Sequence, residues 1–206
     1  MNAKLQNHEW TTTLGRLATA SRVARLLAAV LAVLVLPCVE TIVAAETPAL
    51  SEYQVKALFL VNFAKYVDWP PKAFSSDDAP IVIGFVGQDR FGDNFKQVIE
   101  GKTINGRTVV VKHVDSEQEY RSCHILFVSA SEKDRLANIL DAVKDSAVLT
   151  VGETDEFLAQ QGMINLKKKD NKVRLEINLI AAQRAQLKLS SKLLSVADAV
   201  IGRSGG

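Results

Sequence analysis

The sequence predicts a single α/β domain: a mixed, mostly parallel sheet with helices on both faces, completed by a C-terminal hairpin and further helices. Three observations point there. Short apolar runs of strand length, Ile81–Val86 foremost, are continuous rather than alternating, as in strands covered on both faces. Stretches with helical periodicity separate these runs. Towards the C-terminus two strand-like runs instead flank Lys169-Asp170-Asn171, which makes an antiparallel hairpin and a mixed sheet.

Residues 1–45 stand apart from this pattern. Arg16, Arg22 and Arg25 form a basic start, residues 26–36 an apolar run, and Val43-Ala44-Ala45 a small-residue cleavage site. The apolar run is short and Pro37 and Glu40 follow it closely, which favours a cleaved signal over the alternative, an uncleaved membrane anchor. The segment reads as a cleaved secretory signal, leaving a domain over residues 46–201 and a frayed tail over 202–206.

Cleavage alters the charge balance. The chain has 25 Lys+Arg and 23 Asp+Glu. The signal takes with it Lys4, Arg16, Arg22, Arg25, Glu9 and Glu40, so 21 of each sign remain. A chain without net charge disfavours nucleic acid as a partner. Its length, roughly 160 residues, suffices for one hydrophobic core. Cys38 leaves with the signal and Cys123 remains alone, so an internal disulfide is excluded. At the head of an apolar strand, Cys123 reads as a buried, inert thiol, with an intermolecular bridge as the alternative.

The domain opens on a helical stretch over residues 53–71. Tyr53, Ala57, Leu60, Val61, Ala64 and Val67 share one face, extended by Val55, Phe59, Phe63 and Tyr66. Gln54, Leu58, Asn62 and Lys65 occupy the remaining arc. Lys56 projects into the apolar face. Two readings are open for it: a snorkelling stem with its ammonium in water, or a buried structural cation that requires an anionic partner. Trp69-Pro70-Pro71 ends the helix, because a residue before proline avoids the α region.

After a polar linker over 74–80, the predicted order is the strand Ile81–Val86, a helix over 91–100, and a strand over 108–114 entered through Asn105-Gly106. A strand follows over 124–128, then a helix over 131–144 capped by Ser131, with Glu132 and Asp134 in its first turn. A strand over 147–151 precedes a short helix over 154–160 that Gly162 ends. The hairpin strands cover 163–168 and 172–178; Val173, Leu175 and Ile177 pack while Arg174, Glu176 and Asn178 face the other way. Asn178 caps a helix over 179–186, and Ser190 and Ser191 cap a last one over 192–200.

No enzymatic signature emerges. Gly84, Gly87 and Gly92 do not have the spacing of a dinucleotide or phosphate loop. Cys123 and His124 are neighbours on a strand and point to opposite faces, which prevents a nucleophile–base pair. His113, His124 and one cysteine give no metal-ligand spacing. The reading therefore assigns no catalytic residue, no metal and no cofactor. Lys167, Lys168, Lys169 and Lys172 make a basic hairpin tip, either simply solvated or a contact for anionic headgroups or an acidic partner. Asn62 and Lys65, with Arg174 or Asn178, are the residues that would line a small-ligand site.

The opening pattern Y-x-V-K-A-x-F-L-x-N-F-A-K-Y-V-x-W-P at residues 53–70 resembles the YfiR family of bacterial periplasmic proteins. Further pieces follow in order: C-H-I-L-F-V-S at 123–129, V-L-T-V-G-E at 148–153, F-L-A-Q-Q-G-M-I-N-L at 157–166, V-R-L-E-I-N-L at 173–179 and L-S-S-K-L-L at 189–194. The resemblance implies a non-enzymatic regulator that holds an inner-membrane diguanylate cyclase inactive by binding its periplasmic sensor domain. An outer-membrane lipoprotein would sequester it, and cyclic di-GMP and biofilm matrix output would lie downstream. It also implies a tendency to form a homodimer and to meet small ligands. Family members can carry disulfides; with Cys123 alone, this chain departs from them, and redox control through an internal bridge is not expected.

Overall fold

In the computed structural model, the described residues are 51–92, 95, 99 and 102–202. The predicted signal over 1–45 and most of the tail over 202–206 lie outside them, as does most of the predicted helix over 91–100.

Helix α1 (Glu52–Tyr66) starts at a capping box: the Ser51 hydroxyl accepts from the Gln54 N–H while the Gln54 side chain accepts from the Ser51 N–H. Such caps contribute about 0.5–2 kcal/mol. Lys56, Ala57, Leu60, Phe63 and Ala64 form its buried stripe, and Leu58, Asn62 and Lys65 are exposed. The helix stops earlier than the prolines require. Val67 is already extended and opens β1 (Val67–Asp68), which pairs antiparallel with β9 (Lys188–Leu189).

The main sheet has eight strands: β2 (Ile81–Val86), β3 (Thr103–Ile104), β4 (Arg107–His113), β5 (Ile125–Val128), β6 (Leu149–Gly152), β7 (Ile164–Lys169), β8 (Lys172–Asn178) and β10 (Ala199–Ile201). Their order is β10-β8-β7-β6-β5-β2-β4-β3. The five strands β4, β2, β5, β6 and β7 are mutually parallel; β8 runs antiparallel to β7, and β10 parallel to β8. The fold class expected from the sequence is the one found.

Side-chain alternation splits the core into two. Ile125 and Phe127 face one cluster with Leu60, Phe63 and Phe85; Leu126 and Val128 face another with Leu136, Ile139, Leu140 and Val143. The second cluster is covered by α2 (Glu117–Arg121), through Tyr120, and by α3 (Leu136–Val143), where Leu136, Ile139, Leu140 and Val143 recur at helical spacing. The first is covered by α1, α4 (Leu179–Arg184) and α5 (Ser191–Ser195), together with Phe95 and Ile99.

Several local expectations are corrected. The helix expected over 131–144 begins as a 3-10 turn, Ala130–Arg135, because Glu132 leaves helical geometry, and Ser129 rather than Ser131 caps it. The stretch over 154–160 forms turns instead of a helix. Phe157 there is fully buried and serves as a core plug. Residues 192–200 divide between α5 and the edge strand β10. Asp198 causes the break: its carboxylate accepts from the Leu175 N–H and from Arg174, and its own N–H donates to the Leu175 carbonyl. The hairpin turn is two residues long, since Lys169 pairs with Lys172 and both Asp170 and Asn171 have φ near the left-handed region, 51° and 58°. Helix α2 had no counterpart in the sequence reading.

Candidate functional site

Renumbered from β2, the parallel strands run 2-1-3-4-5, an order that reverses between β2 and β5. The carboxyl ends of strands at such a reversal form the crevice where open α/β sheets place ligands. Here the crevice holds a charged cluster of the protein's own.

Glu153 follows β6 directly, and its side chain is 4% exposed. Its Oε1 accepts from the Ala130 N–H at 3.0 Å, just beyond β5. Its Oε2 accepts from Lys56 Nζ at 2.6 Å and from the Tyr53 hydroxyl at 3.1 Å. Lys56, 2% exposed, also donates to Glu52 Oε1 at 2.6 Å and lies 4.7 Å from the Tyr53 ring centre. Lys168 reaches Glu52 Oε2 at 3.3 Å, and Arg90 stands beside the Tyr53 hydroxyl. One end of α1 is thus tied to β6, the β5 loop and the hairpin by charge-assisted hydrogen bonds.

The titration tendencies follow. Burial pulls the Lys56 ammonium down, and its hydrogen bonds to Glu153 and Glu52 outweigh that, so it titrates above the ordinary lysine range. Burial raises the Glu52 carboxyl, but Lys56 and Lys168 bring it below its ordinary value. Burial and the Glu153 charge push the Tyr53 phenol up. Of the two readings of Lys56, the snorkelling one is corrected: the side chain is almost fully buried and its ammonium is held by two carboxylates.

The residues named for a ligand site are not gathered. Asn62 and Lys65 lie exposed on the outer face of α1, with Lys65 Nζ 5.5 Å from the Tyr66 ring centre. Asn178 is buried, and its Oδ1 caps α4 by accepting from the Ala181 N–H at 3.1 Å. Arg174 donates to Asp198 at 3.0 Å. Of the hairpin lysines, Lys167 lies 3.3 Å from both Asp155 and Glu176, and Lys168 is engaged with Glu52. Lys169 and Lys172 stand exposed at the tip.

Gly87, with φ 85°, closes the β2 end of the crevice; a Cβ there would strike Ser131 and Glu132. The Ser131 hydroxyl accepts from the Gln88 N–H at 2.9 Å. The sequence reading missed Glu153, Tyr53 and Arg90 as members of one cluster. A signal existed for Glu153 alone: a carboxylate directly after a buried strand. Elsewhere a cleft of about 340 Å³ lies between α3 and α4, lined by Leu140, Lys144, Thr150, Met163, Ala181 and Arg184 among others. Among the described residues, no group of acidic, histidine and cysteine side chains has the arrangement of a metal site, and no helix is long and apolar enough to cross a membrane.

These features define an α/β domain with an internal ion cluster at the carboxyl ends of its strands. The chain belongs to the YfiR/HmsC-like family, whose profile matches residues 53–198. That family consists of periplasmic regulators of the diguanylate cyclase type. A search among curated proteins finds no match. Among solved structures, the chain is similar to an ABC domain in complex with L-Trp from Streptococcus pneumoniae, at 15% identity and a TM-score of 0.47, over 70% of this chain and 60% of that one. It is also similar to a conserved domain protein from Vibrio cholerae, at 10% identity and a TM-score of 0.42, over 58% and 54%. The chain spans less than two thirds of either, and both likenesses are too distant to bear on ligand or mechanism.

Proposed function

We propose that the protein is a periplasmic regulator that binds the periplasmic sensor domain of an inner-membrane diguanylate cyclase and holds the cyclase inactive. The family match over residues 53–198, nearly the whole described domain, carries this reading. The ion cluster is consistent with it: Lys56, Glu153 and Tyr53 hydrogen-bond one another at the strand ends, where an α/β enzyme would receive substrate. Residues 1–45 act as a cleaved signal on this reading, so the periplasmic form has an intact mass beginning near Glu46. Outward-facing groups, Asn62 and Lys65 on α1 and Lys169 and Lys172 at the hairpin tip, are proposed contacts for the cyclase, an outer-membrane lipoprotein or a second copy of the chain.

Deleting the gene tests this directly: cyclic di-GMP and matrix should rise. Unchanged cyclic di-GMP under several growth conditions defeats the repressor reading. The cleft between α3 and α4 favours a second reading, a small-ligand-binding module without a cyclase partner. A thermal shift with small anions or aromatic amino acids, abolished by substitution at Arg184, would support it.

A further inference from the structure

The segment joining β1 to β2 rests on one imidazole. His124, just before β5, is 6% exposed. Its Nδ1 accepts the Val82 N–H at 3.1 Å. The neutral ring therefore carries its proton on Nε2, which has no hydrogen-bond partner among the described residues. Phe74 stacks on the ring at 4.4 Å and 22°, and Trp69 meets its edge at 6.0 Å. Trp69 also donates its indole N–H to the His124 carbonyl at 3.2 Å. Both aromatic ends of segment 69–74 are thus seated on this residue.

The surroundings offer a charged ring one backbone carbonyl and no counter-charge. From the helical turn Pro71–Ala73 the Ala73 carbonyl comes near Nε2 without closing a hydrogen bond. From β4 the facing charge is Arg107, whose guanidinium stacks on Phe74 at 3.8 Å. No carboxylate among the described residues faces the ring. A second proton must go to Nδ1, where it would point at the Val82 N–H, donor against donor.

We propose that His124 is an acid-released latch: its protonation drives the ring off the Val82 N–H and frees Trp69 and Phe74 from the sheet. Burial holds the imidazole below its ordinary value against the opposing pull of the Ala73 carbonyl, with Arg107 acting in the same direction as burial. The folded chain then binds fewer protons than the unfolded one. The latch is fully closed above the ordinary value of about 6.5 and weakens as pH falls through the folded value.

The full chain carrying Trp10→Phe retains Trp69 as its single tryptophan and reports on the latch. Between about pH 8 and about pH 4, a reversible one-proton transition is expected below about 6.5. Across it Trp69 emission shifts to the red, acrylamide quenching rises about twofold or more, and the Val82 amide loses protection from exchange, while far-UV dichroism stays native. His124→Asn keeps an acceptor for Val82 and cannot titrate, so it should abolish the transition. Arg107→Gln should move the midpoint upward, and His113→Gln should leave it in place. A transition that persists in His124→Asn overturns the proposal. So does unchanged emission in the parent chain, or an emission change with constant Val82 protection, which would mean quenching without release. Should His124→Asn not fold, the Arg107→Gln midpoint and the Val82 protection decide alone.

Discussion

Lys56 Nζ lies 2.6 Å from Glu153 Oε2, across 97 positions of sequence, and both side chains are almost fully buried. Removing one partner of such a pair strands the other. Lys56→Met should therefore cost about 3–5 kcal/mol in urea melts, and Glu153→Gln a similar amount. The double variant should be less destabilised than the sum by about 0.5–3 kcal/mol. Lys65→Met, on the exposed arc of the same helix, should stay within about 0.5 kcal/mol of the parent. Equal, negligible effects of Lys56→Met and Lys65→Met would show that the cluster does not hold α1 to the sheet.

The same cluster sets part of the pH dependence. The Glu52 carboxyl is held below its ordinary value, so its contribution is complete above about 4.3 and disappears as pH falls through the folded value. Lys56 is held above its ordinary value, so its contribution is complete below about 10.4 and disappears as pH rises through the folded value. Urea midpoints measured against pH should fall at both extremes. Glu52→Gln should flatten the acid limb below about 4.3; an unaltered limb would place the linkage elsewhere.

Cys123 is 3% exposed, and burial pushes its thiol up to about 11. Its Sγ donates to the Glu119 carbonyl at 3.3 Å. The native chain should resist iodoacetamide at neutral pH and react on unfolding. In Cys123→Ser the hydroxyl inherits the Glu119 carbonyl, and the cost should stay below the roughly 1–3 kcal/mol of an unpaired buried hydroxyl. Rapid labelling of the native protein, or a redox response lost in Cys123→Ser, would contradict this and indicate pairing between chains.

Phe157, fully buried, is clasped between two glycines: a Cβ at Gly152 or at Gly162 would strike its ring. Gly152→Ala should destabilise by about 1–3 kcal/mol, the usual cost of overpacking. Phe157→Leu added to Gly152→Ala should recover part of the loss. A neutral Gly152→Ala by thermal melt would mean that the turn over 154–160 adjusts freely.

The sequence by itself determined the elements that local chemistry specifies. Continuous apolar runs marked β2, β5 and β6, and polar oxygens at Asn178 and Ser190 marked the starts of α4 and α5. Uninterrupted apolarity means burial on both faces, and a cap acts within a few residues of itself, so both can be read without knowing the fold. Lys56 was recognisable as anomalous for the same reason, as a cation on an apolar stripe. Only the tertiary structure supplied its partner. Glu153 reaches Lys56 because β6 ends beside the β5 loop and under α1, a juxtaposition set by strand order and not by spacing along the chain. The fate of residues 192–200 was decided likewise: their apolar spacing suits a helix, but Asp198 bonds to Leu175 and Arg174 on β8 and draws the chain onto the sheet edge. Contacts between distant segments outweigh local preference in such places, because a buried charge or an unpaired strand edge costs more than a short helix returns.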